Sequence, residues 1–371
     1  MHKNFKISKW GIFLLIFVLL LAVFGVVMVY SASKYVALNN YGDEYFFMKK
    51  QIAGVFMGLV GMAVLFFVPL EKLKKFDWIF LLVGFVMLAL VFVPGVGKSN
   101  YGATRWIGFG SFTIQPSEIA KFSFIFFSAS RLSNVPEDAK KFKALVPTII
   151  AGGLTCLFII LEPNMSITMC VGLSMLVMLF VGGASFKHFI LLLVPIILAV
   201  PLLIVIEPYR MQRLTAYLDP WSAPLGEGFQ LIQSYYALGS GGWTGLGLGE
   251  SRQKNLFLPF AESDFIFSII GEELGFIVAL IVVVVYIAII FCGLKIASRA
   301  KSRFLCYLTT GIISLIAIQT LLNIAVVTGS IPPTGLPLPF ISAGSTSLLV
   351  FMSAIGVVLN VDRQSRKNVI Q

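Results

Sequence analysis

The sequence predicts an all-α integral membrane protein with about ten membrane-spanning helices. Apolar residues make up 58% of the 371 residues and charged residues only 12%, whereas a soluble domain carries about 25% charged residues. Too few polar side chains remain to cover a globule of this length. Apolar stretches recur along the chain, and their length is typical of helices that cross a bilayer. Residues 1–371 are therefore predicted to form a single membrane domain.

Ten apolar stretches are the predicted membrane spans, because about 20 helical residues are enough to cross the hydrocarbon core. The fourth stretch is short, and only Glu162 and Pro163 separate the fifth from the sixth, which predicts a tight helical hairpin. The predicted spans are residues 11–33, 46–68, 76–94, 117–131, 143–161, 164–182, 187–206, 263–292, 304–328 and 343–361.

The distribution of basic residues predicts the orientation of the chain. The net charge is +11, but the Lys and Arg residues lie in short segments between apolar stretches and form no single basic face, which argues against a nucleic-acid partner. With a cytoplasmic N-terminus, ten spans place 18 Lys and Arg residues on the cytoplasmic side and 9 on the other. Because basic residues are enriched in cytoplasmic loops, both termini are predicted to be cytoplasmic.

Three extracytoplasmic loops follow from this topology: residues 95–116, 207–262 and 329–342. The second loop, between the seventh and eighth spans, is the longest, and long loops often carry function. Within it we expect short helices at 209–218 and 228–238. The glycine-rich stretch 239–249 lacks the order of a nucleotide-binding motif and is interpreted as a flexible turn. Four prolines within 331–340 exclude a regular helix in the third loop.

Asp264 is the strongest candidate for a reacting group. It lies near the start of the eighth apolar stretch, which is about 30 residues long, so its first turns are expected to project above the bilayer. Asp264 precedes Glu272 by eight residues and would stand about 12 Å above it, a height that suits a base acting on a lipid-borne headgroup. An N-cap of this helix is an equally good interpretation, because Asp is favoured there.

Two pairs of polar residues precede or begin the fourth span. Glu118 and Lys121 share one helix face, so we expect an ion pair that either braces the site or offers Lys121 to a phosphate. Arg105 offers a planar donor fork for a phosphate, and Trp106 offers a stacking face for a sugar ring. Anchoring at the membrane surface is the alternative for both residues.

Further polar residues lie in the later spans and in the long loop. Glu272 and Glu273 either line a cavity or, as we favour, belong to an internal ion pair. Asn323 is expected to hydrogen-bond a neighbouring helix. Helical spacing in the long loop places Arg210 with Arg213 on one face, and groups Gln230, Gln233 and Ser234 on another.

Eight short motifs occur in order along nearly the whole chain. They are Arg105-Trp-Ile107, Gln115-Pro-Ser-Glu118 with Lys121, Tyr217-Leu-Asp-Pro-Trp221, Gly228-Phe-Gln-Leu-Ile-Gln-Ser234, Gly245-Leu-Gly-Leu-Gly-Glu-Ser-Arg-Gln253, Ser263-Asp-Phe-Ile-Phe267, Gly271-Glu-Glu-Leu-Gly275 and Thr334-Gly-Leu-Pro-Leu-Pro-Phe340. Together they resemble the SEDS family (shape, elongation, division and sporulation), which includes RodA, FtsW and SpoVE. The glycine-rich motif is most similar to the FtsW and SpoVE branch.

The resemblance implies a peptidoglycan glycosyltransferase of the bacterial cytoplasmic membrane. Such an enzyme polymerises lipid II, an undecaprenyl-diphosphate-linked disaccharide peptide, at the outer face of the membrane, here for a division or sporulation septum. The implied partners are a class B penicillin-binding protein, which supplies transpeptidation, and other septal membrane proteins. A divalent cation, magnesium or manganese, is left open as a cofactor, no organic cofactor is expected, and no residue is assigned to a metal.

The resemblance also favours Asp264 as a catalytic base over a helix cap, because it matches the family's essential carboxylate position. The cations of the outer face are expected to hold the donor diphosphate, and Trp106 with Gln230 and Gln233 is expected to position the acceptor. The predicted substrate-binding residues are Arg105, Trp106, Glu118, Lys121, Arg210, Arg213, Gln230, Gln233 and Ser234.

Two departures from the family pattern affect this interpretation. Where the family often has Gln-Pro-Asp-Leu-Gly-Thr, this chain has Glu162-Pro-Asn-Met-Ser-Ile167, so Asn164 replaces a carboxylate. Either Glu162 substitutes for that carboxylate or the carboxylate is dispensable. Before the tenth span, Ser342-Ala-Gly-Ser-Thr-Ser347 replaces Ser-Tyr-Gly-Gly-Ser-Ser, which is expected to alter loop packing more than chemistry.

Two other functions fit a membrane protein of this size. A flippase for the same lipid would place its polar site near the bilayer midplane, on broken helices in repeated halves, but the polar residues here lie at the outer end and no repeat is visible. A septal scaffold without activity would leave Asp264, Glu118, Lys121 and Arg105 without a role.

The predicted topology is testable with a reporter fused at Glu227, in the middle of the long loop. A reporter that is active only outside the cytoplasm should be active there, because the basic residues favour cytoplasmic termini. A fusion after the last residue should give the opposite signal. A cytoplasmic signal at Glu227 would contradict the ten-span arrangement.

Overall fold

The computed structural model describes residues 7–100, 103–109, 112–135, 142–206 and 208–366. Over these ranges the chain is mostly helical, and every predicted span coincides with one helix. The thirteen described α-helices are α1 (Lys9–Tyr41), α2 (Phe46–Phe67), α3 (Leu70–Leu73), α4 (Asp77–Leu90), α5 (Pro116–Ser133), α6 (Phe142–Leu161), α7 (Met165–Val181), α8 (Phe186–Ile206), α9 (Pro208–Leu218), α10 (Phe229–Gly241), α11 (Ile266–Ala297), α12 (Arg303–Val327) and α13 (Ser345–Arg366).

The membrane-spanning helices confirm the polytopic all-α class. Six of the described helices, α1, α2, α6, α11, α12 and α13, are long and apolar enough to cross a membrane. The other predicted spans correspond to α4, α5, α7 and α8. With 14 residues, α4 rises about 21 Å and is shorter than its predicted span 76–94. The hairpin between α6 and α7 is confirmed, and Asn164 caps α7 by accepting a hydrogen bond from the Ile167 N–H at 3.3 Å.

The α12 helix lies at the centre of the bundle, where it contacts α5, α7, α11 and α13. It is largely buried, whereas α2 and α4 expose much of their apolar surface, as expected of helices that face lipid. The α13 helix packs along α2, and a side chain at Gly356 would collide with the Met62 backbone. Small residues of this kind let membrane helices approach closely. The polar groups at the outer end of α12 are therefore surrounded by other elements on most sides.

The two short helices expected in the long loop are both present. The α9 helix covers the predicted 209–218 and α10 the predicted 228–238, with a 3₁₀ turn (Pro220–Ser222) between them. Asp219 opens this turn by accepting a hydrogen bond from the Trp221 N–H at 3.2 Å. The proline-rich third loop contains no regular helix among its described residues, as predicted.

The first external loop contains a small sheet that the sequence analysis did not predict. The strands β1 (Gly97–Asn100), β2 (Ala103–Phe109) and β3 (Phe112–Ile114) form an antiparallel sheet in the order β1-β2-β3. Trp106 of β2 pairs with Lys98 of β1, and Ile107 pairs with Ile114 of β3. β1 and β3 have only four and three residues, and the seven residues of β2 do not alternate between apolar and polar, so the sequence shows no strand pattern here. β2 carries Arg105, one of the predicted substrate-binding residues.

The α11 helix is interrupted at Gly275, where φ is 76° and ψ is 179°. Such a break leaves backbone groups without helical partners, and in a bilayer these groups must be paired within the protein. The glycine-rich stretch of the long loop supplies the partners through four backbone hydrogen bonds of 2.9–3.2 Å. In donor–acceptor order these bonds are Leu246–Glu272, Gly247–Glu273, Phe276–Gly242 and Ile277–Trp243.

The interpretation of residues 239–249 as a flexible turn is therefore wrong. Gly245 has a φ of 80°, and a β-carbon at this position would lie 2.2 Å from the carbonyl oxygen of Glu273. Glycine allows the two backbones to touch here and also adopts the left-handed conformation without strain. The sequence shows the glycine-rich stretch 239–249 and the glycines at 271 and 275. It does not show that these two segments pack against each other.

The side chains of Glu272 and Glu273 hold the same part of the long loop. Glu273 forms a buried ion pair with Lys254, with 2.8 Å between Nζ and Oε1, and accepts a hydrogen bond from the Ser31 hydroxyl of α1 at 2.7 Å. The favoured interpretation as an internal ion pair is confirmed for Glu273. Glu272 instead accepts the hydroxyl of Ser251 and neighbouring backbone N–H groups, so it holds the loop without a cation. Both carboxylates are wholly buried.

Replacing Gly275 with alanine tests the importance of this closure. The backbone conformation at Gly275 is essentially restricted to glycine and costs another residue about 1–3 kcal/mol. A β-carbon there would also lie 2.3 Å from the Gly245 nitrogen. Gly275→Ala should therefore lower the thermal unfolding midpoint of the purified protein by several degrees. Gly172→Ala in α7 is the matched control, because a β-carbon at Gly172 meets no atom within 4 Å. Equal midpoints for the two variants would contradict the proposed closure.

Candidate active site at the outer end of the bundle

Asp264 lies in a turn that immediately precedes α11. The helix begins at Ile266, three residues after the start of the predicted span, so Asp264 is not on the helix and the expected helical rise to Glu272 is wrong. Phe265 occupies the N-cap position, and no side chain caps the helix there. The capping interpretation of Asp264 is therefore wrong as well, and its carboxyl group is left for another role.

Three hydrogen bonds to three consecutive carbonyl oxygens hold this turn in place. The side-chain amide of Asn323 on α12 donates to the Asp264 carbonyl at 2.8 Å, and also to the Leu336 carbonyl of the proline-rich loop at 2.6 Å. The hydroxyl of Ser342 and the N–H of Ala343 donate to the carbonyls at 263 and 262, at 2.6 and 2.9 Å. Asn323 was expected to bond a neighbouring helix, and it instead joins two loops.

The proline-rich loop is fixed above α12 through its carbonyl oxygens. Proline has no N–H, but its carbonyl still accepts hydrogen bonds. The amide of Gln319 on α12 donates to the Pro337 carbonyl at 2.8 Å, and Arg213 of α9 donates to the Pro333 carbonyl at 3.2 Å. The hydroxyl of Tyr286 on α11 donates to the Pro339 carbonyl. Helices α9, α11 and α12 thus determine the position of this loop over Asp264.

Gly335 of this loop lies against the carboxyl group of Asp264. A β-carbon at position 335 would lie 2.9 Å from Oδ2 of Asp264, so glycine leaves room for the carboxyl oxygen. On the other side, Phe260 adopts a left-handed φ of 56°, and its carbonyl accepts the N–H groups of Ser263 and Phe265. This conformation is unfavourable for a bulky residue and persists only where surrounding contacts impose it, as is common in functional sites.

The electrostatic surroundings of Asp264 bring its pKa close to neutral. Burial is the main cause and, with the neighbouring Glu262 carboxyl, raises the pKa of Asp264 to about 7. A hydrogen bond with Ser263 and the positive charges of Arg213 and Arg105 oppose this rise. Burial also raises the pKa of Glu262 above its ordinary value. Asp264 is therefore a carboxyl group that gains and loses a proton near physiological pH.

Two of the predicted phosphate-binding cations lie within electrostatic reach of Asp264. Arg105 extends from β2 to the hairpin between α6 and α7, where Nε donates to the Glu162 carbonyl at 3.2 Å and the guanidinium also donates to the Pro163 carbonyl. Arg213 reaches the site from α9. Both side chains are partly exposed. The structure thus brings Arg105 and Arg213 together with Asp264, although the three lie in different loops.

Glu118 and Lys121 form the ion pair expected from their spacing, with 2.9 Å between Nζ and Oε1. Both side chains are completely buried, and Lys121 also donates to the Gln319 side chain at 2.8 Å. Because Gln319 in turn donates to the Pro337 carbonyl, the pair supports the loop over Asp264. Of the two roles considered for Lys121, the structure supports the brace, because a buried and paired ammonium is not presented to a phosphate.

The remaining predicted substrate-binding residues occupy different environments. Ser234 is buried, and its hydroxyl is hydrogen-bonded to the Ser268 hydroxyl of α11 at 2.7 Å. Its predicted position in the substrate site is therefore wrong, and it forms a contact between helices instead. Its face of α10 packs on α11, and the helical spacing alone does not show this. Gln230 donates to the Pro259 carbonyl at 3.2 Å, and Gln233 is partly exposed nearby.

Trp106 and Arg210 complete the predicted set. Trp106 is partly exposed on β2, next to Arg105 in sequence. Strand neighbours point to opposite faces, so the two side chains do not share one face of the sheet. Arg210 lies in the first turn of α9, and its side chain falls outside the described part of the chain.

Several residues that shape the site were not singled out from the sequence. Gln319 and Ser342 hold the loops, and Gly335 makes room for the carboxyl group. One signal was available for Gln319: it lies four residues before Asn323 in an apolar span, so both amides fall on one helix face. No local pattern marks Ser342 or Gly335, because their roles depend on where the chain returns.

The fold and the site together define a polytopic membrane protein with a titratable carboxyl group and two cations at one end of a helical bundle. Residues 12–367 match the cell cycle protein family of FtsW, RodA and SpoVE, and the chain belongs to this family.

Two similar proteins cover almost the whole chain. Stage V sporulation protein E of Bacillus subtilis (strain 168) is 41% identical over 363 residues, which are 97% of this chain and 99% of that protein. The probable peptidoglycan glycosyltransferase FtsW of Geobacter sp. (strain M18) is 36% identical over 362 residues, again 97% and 99% of the two chains.

Solved structures share the fold. One chain, from a peptidoglycan synthase complex that coordinates polymerization and crosslinking, has a TM-score of 0.78 and 25% identity and covers 97% of this chain and 99% of that one. The rod shape determining protein RodA of Thermus thermophilus has a TM-score of 0.70 and 20% identity, and covers 97% and 98%. The similarity to RodA concerns the fold alone.

Proposed function

We propose that this chain is a peptidoglycan glycosyltransferase that polymerises lipid II at the outer face of the cytoplasmic membrane. The family membership and the relatives named as peptidoglycan glycosyltransferases support this activity. The observation that carries the proposal is Asp264, a carboxyl group with a pKa of about 7, held at the outer end of the bundle beside two cations. The relatives in sporulation and division support a role in a septum.

In the proposed reaction, an acceptor sugar hydroxyl attacks the anomeric carbon of the donor. A carbon–oxygen bond forms between the sugars, the bond from the anomeric carbon to the diphosphate breaks, and the hydroxyl proton passes to Asp264. The lipid diphosphate leaves as a stabilised anion, so no general acid is required. Glycoside hydrolases, by contrast, use two carboxyl groups because their leaving group is poor. One base is therefore sufficient here.

The pKa of Asp264 suits this role. A general base works best when its pKa lies near the operating pH, because it is then both unprotonated and basic enough to accept a proton. An aspartate with its ordinary pKa of 3.8 would be a much weaker base than one at about 7. The turn around Asp264 is held by three hydrogen bonds, so the base is also preorganised.

Arg105 and Arg213 are the proposed ligands of the departing diphosphate. Guanidinium groups offer parallel donors that match phosphate oxygens, and positive charge stabilises the developing anion. Arg210 remains a proposed member of this group from its position on the same helix as Arg213, and Trp106, Gln230 and Gln233 remain proposed acceptor contacts. Glu118 and Lys121 act through the loop that they support.

We propose that a divalent cation, magnesium or manganese, binds only together with the substrate. Within the described residues, no group of three or more His, Cys, Asp or Glu side chains gathers to hold a metal. Magnesium often binds mainly through substrate phosphates. No step above depends on it.

A flippase is less well supported, although α11 is a broken helix of the kind seen in transporters. In transporters the freed backbone groups of a broken helix often bind ions or substrate. Here those on both sides of Gly275 are paired with the glycine-rich stretch. The break therefore serves to attach the long loop.

We also propose a specific partner and a specific location for this chain. A similar chain is part of a peptidoglycan synthase complex. We extend this to a class B penicillin-binding protein as the partner of this chain, together with other septal proteins. We also propose enrichment at the septum and cytoplasmic termini, the latter supported by the distribution of basic residues.

Asp264→Asn tests the catalytic base. The substitution keeps the size of the side chain and removes its basicity, so polymerisation of lipid II should fall by about 10²–10⁴-fold while the protein remains folded. In the wild type, activity should rise with pH through about 7 as Asp264 loses its proton. Glu227→Gln, at an exposed carboxylate of the same loop, is the control and should retain activity. A near wild-type rate for Asp264→Asn would remove Asp264 from the mechanism.

Arg213→Ala tests diphosphate binding. The loss of one charge-assisted contact to phosphate should reduce kcat/KM for lipid II by about tenfold or more, because such contacts contribute about 1.5–3 kcal/mol. Arg252→Ala is the matched control, since Arg252 is an exposed arginine elsewhere in the long loop. If both variants retain wild-type kinetics, Arg213 does not bind the donor. Comparison of thermal midpoints separates lost binding from lost folding.

A further inference from the structure

Glu162 is a buried carboxyl group that the proposed mechanism does not use. It follows the last residue of α6, and its side chain is completely buried. Neither of its carboxyl oxygens has a hydrogen-bond partner among the described residues. An ionised carboxylate in such surroundings is strongly unfavourable, so the neutral form is preferred. Burial accordingly raises the pKa of Glu162 to about 8, and the charge of Arg105 opposes this rise.

Arg105 connects this group with Asp264. Its guanidinium donates to the carbonyl oxygens of Glu162 and Pro163, so it is attached to the same turn that carries the Glu162 side chain. Its positive charge acts on the carboxyl groups of both Glu162 and Asp264. One cation therefore acts on two acids, the buried Glu162 and the partly exposed Asp264.

Within the described ranges, the charged residues on the other elements packed against α6 are already paired with one another. On α5, Glu118 and Lys121 are paired with each other. On α7 the titratable group is Cys170, a buried thiol that carries no charge. On α4 it is Asp77, at the opposite end of the helix and paired with Arg131. Among the residues that the structure describes, Arg105 is the charged group that acts on Glu162.

We propose that Glu162 is a positioning residue that shares Arg105 with Asp264 and sets how much of the Arg105 charge reaches the reacting groups. While Glu162 is neutral, the charge of Arg105 favours the ionised form of Asp264 and is available to the diphosphate. When Glu162 ionises, it draws Arg105 toward its own carboxylate, and the site loses that charge. The part that concerns catalysis rests on the proposed function, whereas the coupling of the two carboxyl groups does not.

The sharing of Arg105 depends on the position of the carboxyl group in this chain. The SEDS pattern often has an amide at this position and a carboxylate two residues later, and here the order is reversed, with Glu162 and Asn164. Asn164 has a separate, structural role, because it caps α7. The carboxyl group therefore lies on the residue whose carbonyl binds Arg105.

The coupling is tested first without any activity measurement. Infrared difference spectra of the purified protein should show a protonated carboxyl band that disappears with a midpoint near pH 8 and is absent from Glu162→Gln. Asp264→Asn removes the competing carboxylate, so the Glu162 midpoint should move to lower pH. Arg105→Gln should raise the Glu162 midpoint and abolish most of the shift caused by Asp264→Asn. A Glu162 midpoint that is the same with and without Asp264 would overturn the proposal.

The pH dependence of lipid II polymerisation provides the second test. The wild type should lose roughly five- to tenfold of its activity between pH 7.5 and 9.5, whereas Glu162→Gln should lose less than about twofold. Asn164→Ala is the control for structural damage, because it removes a helix cap two residues away and should lower activity without changing the shape of the profile. Identical alkaline limbs in the wild type and Glu162→Gln would exclude the catalytic part of the proposal. If the wild type does not polymerise lipid II, the proposed function fails, and the infrared midpoints still decide the coupling.

Discussion

The requirement that every backbone group inside a membrane has a partner governs the architecture of this protein. The α11 helix breaks at Gly275, and the glycine-rich stretch of the long loop closes the break with four hydrogen bonds. The loop is thereby attached to the bundle, and the ion pair between Lys254 and Glu273 reinforces the attachment. Since Lys254 lies ten residues before Asp264 and α11 begins two residues after it, the closure also limits where the Asp264 turn can lie.

The site at the Asp264 end of the bundle combines three acids with two cations. Glu162, Glu262 and Asp264 all have raised pKa values, and burial is the main cause for each. Arg105 and Arg213 supply positive charge from a β-strand and from an amphipathic helix. Burial disfavours the ionised form of each acid, whereas the charges of Arg105 and Arg213 favour the ionised form of Asp264, so Asp264 exchanges its proton near neutral pH.

The sequence was sufficient to predict the membrane class, the ten helices and the two loop helices, because long apolar stretches and helical spacing are local properties. It also singled out Asp264, which the structure places in the turn before α11 with its pKa raised to about 7, and it predicted the pairing of Glu118 with Lys121. It did not predict the sheet around Arg105, the break at Gly275 or the buried position of Ser234. These features depend on contacts between residues that are distant in sequence, which neither spacing nor composition records.

The two amides of α12 have a consequence for how this family can vary. Gln319 and Asn323 lie one helical turn apart and hold the proline-rich loop and the Asp264 turn from the same face. Inserting or deleting a single residue earlier in α12 would rotate this face by about 100° and detach both contacts at once. A substitution in α12 changes the contacts of one residue, whereas a change in its length breaks the contacts of Gln319 and Asn323 together. The length of α12 therefore fixes where the proline-rich loop and the Asp264 turn lie relative to the opposite end of the bundle.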